Sequence, residues 1–420
     1  MTPPVPMPAA AEPRLPRAGA RLAEVEDIEV EVEKLVAGGE GLARFEGIPI
    51  FVPRSAPGDR LRVRLVERRP DFGRGETLEI LRPGPDRRPA PCPHFANCGG
   101  CDLQHLNDEA QTRLKAQAVL ETLERLGRVQ RPADFRIVVG SPWAYRLRAQ
   151  LHTSEIGGLG GAVRVGYHAR GSNELVAIGQ CPVLTPALEG LVKELPAALR
   201  TAFPEAGSVP RRVDLAAGQD GALSTAPVVE GLPHGEVTFA AGEFVYAFDA
   251  RCFFQAHSGL LNELVEVAVG SWKGEAAYDL FSGVGLFTLP LARRYGRVTG
   301  VESDAGAVRF ARTNARRNRI LNAEFVQRPL DAWIRELPRD VDRVLIDPPR
   351  EGLSMPARRV LLHRRPRRLT YVSCHAATLA RDLRELQESY TVESLALLDL
   401  FPQTGHMEAV VQLAAIAGAP

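Results

Sequence analysis

The stretch from Leu369 to Leu383 reads Leu-Thr-Tyr-Val-Ser-Cys-His-Ala-Ala-Thr-Leu-Ala-Arg-Asp-Leu. A β-type run, Leu369 to Val372, delivers Cys374 to a turn, and a helical repeat of Leu379, Leu383 and Leu386 begins just behind it. Ligands in α/β proteins bind at such strand tips, and a helix start behind a thiol is expected to depress its pKa. Further on, Phe401-Pro-Gln-Thr-Gly-His-Met-Glu408 ends in a carboxylate. One thiol and one carboxylate are what methylation of a pyrimidine at C5 requires. That carbon is a poor nucleophile alone, but thiolate addition at C6 makes the ring an enolate that takes a methyl from a sulfonium donor. A base then removes the C5 proton so that the thiolate can leave. A thiol seen by itself is more often a buried structural residue, so a donor site and a nucleic-acid substrate must be legible elsewhere.

The donor site is expected at Tyr278-Asp-Leu-Phe-Ser-Gly283-Val-Gly285-Leu-Phe, a strand ending in a Gly-x-Gly turn before a helix. Gly283 and Gly285 let the backbone approach a ligand where a side chain would block it. Thr288 stands where the dinucleotide fingerprint has its third glycine. Nineteen residues after Gly283, Glu302 ends the next strand, placed to accept hydrogen bonds from ribose hydroxyls. A glycine turn with an acid at that offset and no pyrophosphate grip suits S-adenosylmethionine. Leu345-Ile-Asp347-Pro-Pro-Arg350 ends a later strand, and its prolines fix the chain so that Asp347 faces the same crevice. Asp-Pro-Pro downstream of the glycine turn points to a methyltransferase.

These motifs need elements to hold them. From Arg251 onward, apolar strands alternate with amphipathic helices: helix at Leu260–Val269, strand at Ala276–Phe281, helix at Phe287–Arg294, strand at Val298–Val301, helix at Ala305–Arg317, strand at Val341–Ile346. That alternation predicts a doubly wound, mostly parallel α/β sheet over 251–420. Before it, 83–250 opens with a Pro-rich linker and a cysteine segment. Asn107 is placed to cap a helix over 107–127 with Leu114, Val119, Leu123 and Leu126 as its apolar positions, a helix that can pack on the catalytic portion. Arg136 to Phe248 reads as strands and turns, with the glycines of 157–161 marking a hairpin. Over 24–82, about five short strands suggest a small β-barrel of the oligonucleotide-binding kind. Residues 1–23 read as a disordered tail with no signal-peptide apolar region.

At 420 residues, 45% hydrophobic and 25% charged, the chain is a multidomain globular protein with no membrane-spanning run, expected in the cytoplasm. Its formal net charge of +1 does not announce a polyanion partner. Local clusters do: Arg60, Arg62 and Arg64 share one face of a strand, and Arg358, Arg359, Arg364, Arg365, Arg367 and Arg368 crowd one short span. The six cysteines are Cys92, Cys98, Cys101, Cys181, Cys252 and Cys374, and in a reducing compartment they read as metal ligands or catalytic groups rather than disulfides. Cys252 has no partner in that scheme and reads as a buried apolar residue.

Asp-Pro-Pro-Arg, Ser-Cys-x-x-x-Thr-Leu-Ala-Arg-Asp-Leu and Phe-Pro-x-Thr-x-His-x-Glu together resemble the uracil-C5 RNA methyltransferases of ribosomal and transfer RNA, over nearly everything past residue 24. The resemblance implies Cys374 as nucleophile and Glu408 as base, with Gln255, Phe281, Glu302 and Asp347 holding the methyl donor. It also implies, as in the branch similar to bacterial 23S rRNA enzymes, an N-terminal RNA-binding TRAM barrel. In that branch Cys-x5-Cys-x2-Cys and a distant Cys hold a [4Fe–4S] cluster, which maps onto Cys92, Cys98, Cys101 and Cys181. By spacing alone four thiolates suit zinc equally; Cys-Gly-Gly-Cys-Asp-Leu-Gln-His and Cys181-Pro favour iron–sulfur through the resemblance. The chain departs from the family at His375-Ala376, where Asn-Pro is common, at His257, often Asn, and at Leu286, which can be Asn.

The expectation is therefore methyl transfer from S-adenosylmethionine to C5 of a uridine, with 23S rRNA first and tRNA as the alternative. An amino-group RNA methyltransferase using Asp-Pro-Pro would need no thiol, and a cluster-bearing RNA-binding protein without activity would need no donor site.

Overall fold

The computed structural model describes residues 26–157, 161–205 and 207–417; the tail expected over 1–23 and the tip of the glycine hairpin lie outside them. In β1 (Asp27–Leu35), Ile28, Val30 and Val32 face one way and the acids between them the other, the period of a half-buried strand. With β2 (Gly41–Phe45), β3 (Ile48–Val52), β4 (Arg60–Arg68) and β5 (Gly73–Arg82) it closes a barrel in the order β1-β2-β3-β5-β4. Ile28, Val30, Ile50, Leu61 and Val63 fill its interior.

The arginine strand is not the free cationic face expected of it. β4 runs antiparallel to β1 with Arg64 opposite Asp27 and Arg62 opposite Glu29. Neighbouring strands place such side chains within reach on one face: Arg60 meets Glu29 at 3.0 Å, Arg62 meets Glu79 at 2.8 Å and Arg64 meets Asp27 at 3.1 Å. The second cluster is also largely spent inside the protein. Arg358 is buried against Asp382 and Glu385, Arg367 pairs with Asp342, Arg368 with Glu393, and Arg364 and Arg365 donate to backbone carbonyls. A run of one charge in sequence says nothing of the opposite charge that another element brings to it.

A second compact unit takes in everything from Arg88 onward, together with Val36–Gly39. Its elements are α1 (Asp108–Gly127), β6 (Asp134–Val138), β7 (Arg148–Ile156), β8 (Ala162–His168), β9 (Leu175–Ala177), α2 (Pro186–Ala202), β10 (Arg212–Ala217), β11 (Leu223–Ala226), β12 (Val237–Ala241) and β13 (Phe244–Phe248). They continue with α3 (Leu261–Val269), β14 (Gly274–Leu280), α4 (Thr288–Ala292), β15 (Tyr295–Glu302), α5 (Ala305–Arg317), β16 (Ala323–Gln327), α6 (Leu330–Trp333), β17 (Arg343–Ile346), α7 (Met355–Arg364), β18 (Arg368–Ser373), α8 (Ala376–Leu386), β19 (Tyr390–Leu398) and β20 (Glu408–Ala415).

The stretch read as strands and turns contains α2, a helix of 17 residues. Pro186 and Pro196 mask it in sequence, yet the first sits in the opening turn where no N–H is needed. Leu188, Leu191, Val192, Leu195 and Leu199 recur at helical spacing and are all buried. They join the core under a five-stranded sheet ordered β11-β10-β7-β8-β9. In α1, Leu126 is 42% exposed, not the core position its spacing predicts.

The larger sheet has eight strands in the order β16-β15-β14-β17-β18-β20-β19-β6. β14 pairs parallel with both β15 and β17, so strand order reverses between β14 and β17 and a crevice opens at their C-terminal ends. The eighth strand, β6, comes from well before residue 251 and pairs with β19. Close by, α1 packs on α8, where Gln387 donates to the Gly127 carbonyl at 2.9 Å. Among the described residues no helix is long and apolar enough to cross a membrane.

Candidate active site

Cys374 follows β18 directly, and α8 starts two residues later. β18 and β20 pair antiparallel with Ser373 opposite Ala409, a register that brings Glu408 to the same end of the sheet as Cys374. The Cys374 thiol does not have the depressed pKa expected from the helix start. Burial, then the nearby charges of Glu408 and Asp347, push it up to about 11, while Arg350 beside it acts the other way. Glu408 is 3% exposed, and burial with the neighbouring Asp347 raises its carboxyl well above the usual range. Burial also lifts Asp347 to about 7. Two carboxyls that close, shut off from water, cannot both ionise freely. Arg350 also reaches His406 at 3.1 Å. Burial and the arginine hold that imidazole neutral, with its pKa down at about 4.

Beside this group lie the residues at the C-terminal ends of β14 and β17. Gln255, 5% exposed, donates to Asp347 at 3.3 Å. Phe281 is held at φ +67°, a conformation rare for a non-glycine residue, and its N–H is tied to the Val301 carbonyl at 2.9 Å. Gly283 sits at φ +53°, and a Cβ there would meet nothing within 4 Å. Gly285 sits at φ +91°, and a Cβ on it would meet Leu289 at 3.0 Å. Glu302 accepts from the Gly283 N–H at 3.0 Å with one oxygen, and from the N–H groups of Ser303 and Asp304 with the other. The carboxylate thus ties the glycine turn to the end of β15, and a ribose hydroxyl would share it.

Sequence reasoning passed over Asp279. This residue is fully buried in β14, accepts from the Thr288 hydroxyl at 2.5 Å through one oxygen, and among the described residues has no partner for the other. Ser282 Oγ is likewise buried and unpartnered. Burial raises Asp279 to about 7, and Glu302 adds to the rise. The available signal was an acid inside an otherwise apolar strand run, Tyr278-Asp-Leu. A buried polar atom left bare is costly and marks a place where a ligand donor fits.

The family departures are accommodated locally. His375 is the N-cap of α8, and its Nδ1 accepts from the Thr378 N–H at 3.3 Å, the role a cap side chain must fill. Burial, then Arg350 and Arg381, hold its pKa down, so the neutral ring keeps that acceptor. His257 stacks on Tyr145 with ring centroids 4.7 Å apart and bonds to the Ser141 carbonyl. Leu286 is buried in the core.

Cys92, Cys98, Cys101 and Cys181 line one small cavity with Arg146 and Tyr167. All are free thiols, and among the described residues no three His, Cys, Asp or Glu side chains are gathered tightly enough to hold a metal ion as they stand. The Arg146 guanidinium donates to the Arg148 carbonyl at 3.0 Å, and Tyr167, Tyr145, Cys181 and Cys101 raise its pKa against the effect of burial. Cys252, 3% exposed, lies apart from them in the core.

Residues 231–333 and 334–416 match the family described as tRNA (Uracil-5-)-methyltransferase, and residues 21–78 match the TRAM domain. A protein of Pectobacterium atrosepticum named 23S rRNA (uracil(1939)-C(5))-methyltransferase RlmD is 33% identical, over 91% of this chain and 93% of its own length. One of the same name from Methylococcus capsulatus is 33% identical, over 92% of this chain and 96% of its own. The fold matches the crystal structure of Pyrococcus abyssi tRNA (uracil-54, C5)-methyltransferase in complex with S-adenosyl-L-homocysteine, with a TM-score of 0.69, 24% identity, and coverage of 92% of this chain and 100% of that one. With the thiol, the carboxylate and the switch-point crevice in one place, and relatives of this kind along nearly its whole length, the chain belongs to the uracil-C5 RNA methyltransferase family.

Proposed function

We propose that this protein transfers a methyl group from S-adenosylmethionine to C5 of a uridine in 23S rRNA through a covalent bond from Cys374 to C6. The observation that carries the reading is the β18–β20 register, which sets Glu408 beside Cys374 at the mouth of the β14/β17 crevice. The family and the names of its relatives support the chemistry and the RNA class. The direct test is mass mapping of methyluridine in RNA from a deletion strain with and without complementation. Loss and recovery of one methyluridine in 23S rRNA is expected; loss from tRNA instead would redirect the substrate assignment.

In this reading the barrel of 24–82 contacts RNA, 83–250 carries the four clustered cysteines, and 251–420 holds the chemistry, all in the cytoplasm with the ribosomal substrate. Since its arginines are already ion-paired, the barrel must exchange acid partners for phosphates, which makes binding steeply salt-dependent. The target base has to leave its stack to reach Cys374. The Cys374 thiol gives its proton to solvent as the sulfur adds to C6, C5 takes the methyl as S-adenosylhomocysteine leaves, ionised Glu408 removes the C5 proton, and the sulfur–C6 bond breaks to restore the ring and free the sulfur. Bound in the crevice, S-adenosylmethionine supplies an electrophilic methyl on a sulfonium.

Gln255, Phe281, Gly283, Gly285, Glu302 and Asp347 would hold that donor, with Asp279 added. Its positive charge suits a crevice whose Asp279 and Asp347 carboxyls titrate at about 7. Below that pH both tend to hold protons and repay a cation poorly. Affinity for S-adenosylmethionine should therefore rise about tenfold between pH 6 and pH 8, with about half a proton released on average over that range. Titration calorimetry in buffers of different ionisation enthalpy reads both quantities, and an affinity flat with pH would refute the cation-site reading. The sign for stability is opposite. Carboxyls with pKa values raised by folding contribute stability below about pH 4 that is lost as the pH climbs through 7, so the donor's thermal stabilisation should grow over the same range.

Cys92, Cys98, Cys101 and Cys181 would hold a [4Fe–4S] cluster. Four cysteines lining one cavity fit its ligand set, and the Arg146 guanidinium on the same cavity suits the negative charge of such a centre. The reaction moves no electrons, so the group would anchor structure. Protein purified without oxygen should contain iron and acid-labile sulfide in equal amounts, and Cys101→Ser should lose both; zinc without sulfide would overturn the assignment.

A further inference from the structure

The loop Phe401–Gly405, which leads into His406 and Glu408, is held chiefly by residues some three hundred positions earlier. The Phe401 carbonyl accepts from the buried Lys115 ammonium at 3.2 Å, and the Pro402 carbonyl from the Tyr145 hydroxyl at 2.9 Å. Gln403, fully buried and at φ +67°, exchanges two hydrogen bonds with Gln111. A non-glycine residue keeps that conformation only where its surroundings over-determine it. The residues after Cys101 close the grip. The N–H groups of Asp102 and Leu103 donate to the Gln403 carbonyl at 2.8 and 3.0 Å, and the Asp102 carboxylate accepts from the Gly405 N–H at 3.1 Å. Its other oxygen is fixed by Arg170 at 2.6 Å.

We infer that Asp102 is a positioning residue for the proton-abstraction step. It latches the 401–405 loop so that Glu408 meets the C5 proton of the methylated adduct. The latch acts on the base and not on the donor crevice, because Asp102 and Leu103 bond to the loop while Gln255, Asp347 and Glu302 belong to other elements. Loosening it should slow release of the adduct while leaving its formation and donor binding in place.

This inference rests on Glu408 as the base, so Asp102→Ala, Asp102→Asn and Glu408→Gln are compared side by side with wild type on unmodified 23S rRNA and tritiated S-adenosylmethionine. Asp102→Ala should lower kcat by on the order of tenfold, as expected for a misplaced reacting group. It should keep donor affinity within about twofold, and it should accumulate methylated RNA joined to protein on denaturing gels. Asp102→Asn retains an acceptor for the Gly405 N–H and should restore most of the turnover. If Glu408→Gln traps adduct and Asp102→Ala does not, the latch is wrong and the base stands. Equal loss of donor binding and turnover in Asp102→Ala would also overturn the latch, reducing Asp102 to general scaffolding. If Glu408→Gln turns over normally, the base assignment fails first.

Discussion

Cys374→Ala should bind S-adenosylmethionine normally, form no covalent RNA complex and lose methyl transfer by on the order of 10⁴-fold or more, as removal of a covalent nucleophile does. The neighbouring hydroxyl offers no substitute, since Ser373 is 5% exposed and its oxygen is engaged with the His375 backbone. The substitution removes a thiol that burial and two carboxylates already keep protonated at neutral pH. Folding should therefore suffer little, and unaltered donor binding would confirm an intact crevice. Tritium incorporation into RNA, read with denaturing gels for the adduct, decides the matter. Retained transfer would sink the covalent route and favour an amino-group methyltransferase that uses Asp347 without a thiol.

Glu408→Gln should give the opposite gel. The adduct forms, takes its methyl and then persists, because no base removes the C5 proton; turnover falls roughly 10²- to 10⁴-fold, the usual contribution of a general base. The electrostatics supply an independent check. Glu408 is the largest charge effect raising the Cys374 pKa, second only to burial, and the neutral amide removes it. The thiol of the variant should then titrate at a lower pH than that of the wild type, read as the rate of alkylation by iodoacetamide across the alkaline range. It also relieves Asp347 of a buried neighbour, so stability above pH 7 should hold or rise. Fast turnover, or an alkylation rate unchanged from wild type, would contradict the placement of Glu408 beside the sulfur.

Much of the catalytic sheet was legible because its signals are local. An apolar strand followed by Gly-x-Gly and an amphipathic helix reads the same in any context, and the helix expected at Ala305–Arg317 spans those residues in the structure. The helix Pro186–Ala202 was obscured by prolines that look like breakers and are tolerated where they sit. The arginine runs misled for a related reason. Charge clusters are visible along the chain, whereas the acids that neutralise them arrive from other strands and helices. Asp279 was hidden among the apolar neighbours of its strand, and only its bare buried oxygen marks it for a ligand.

By itself the sequence determined which side chains stand at the strand tips and the order in which strands and helices follow one another. Periodicity and turn chemistry act over a few residues, and motifs preserve them. Only the tertiary structure decided how those side chains behave. Pairing of β18 with β20 set Glu408 against Cys374, and burial with two carboxylates turned an expected low-pKa thiol into a high-pKa one. His375 became a helix cap, and Asp102 came to hold a loop three hundred residues away. Proton affinity and position depend on desolvation and on partners remote in the chain, and those exist only once it has folded.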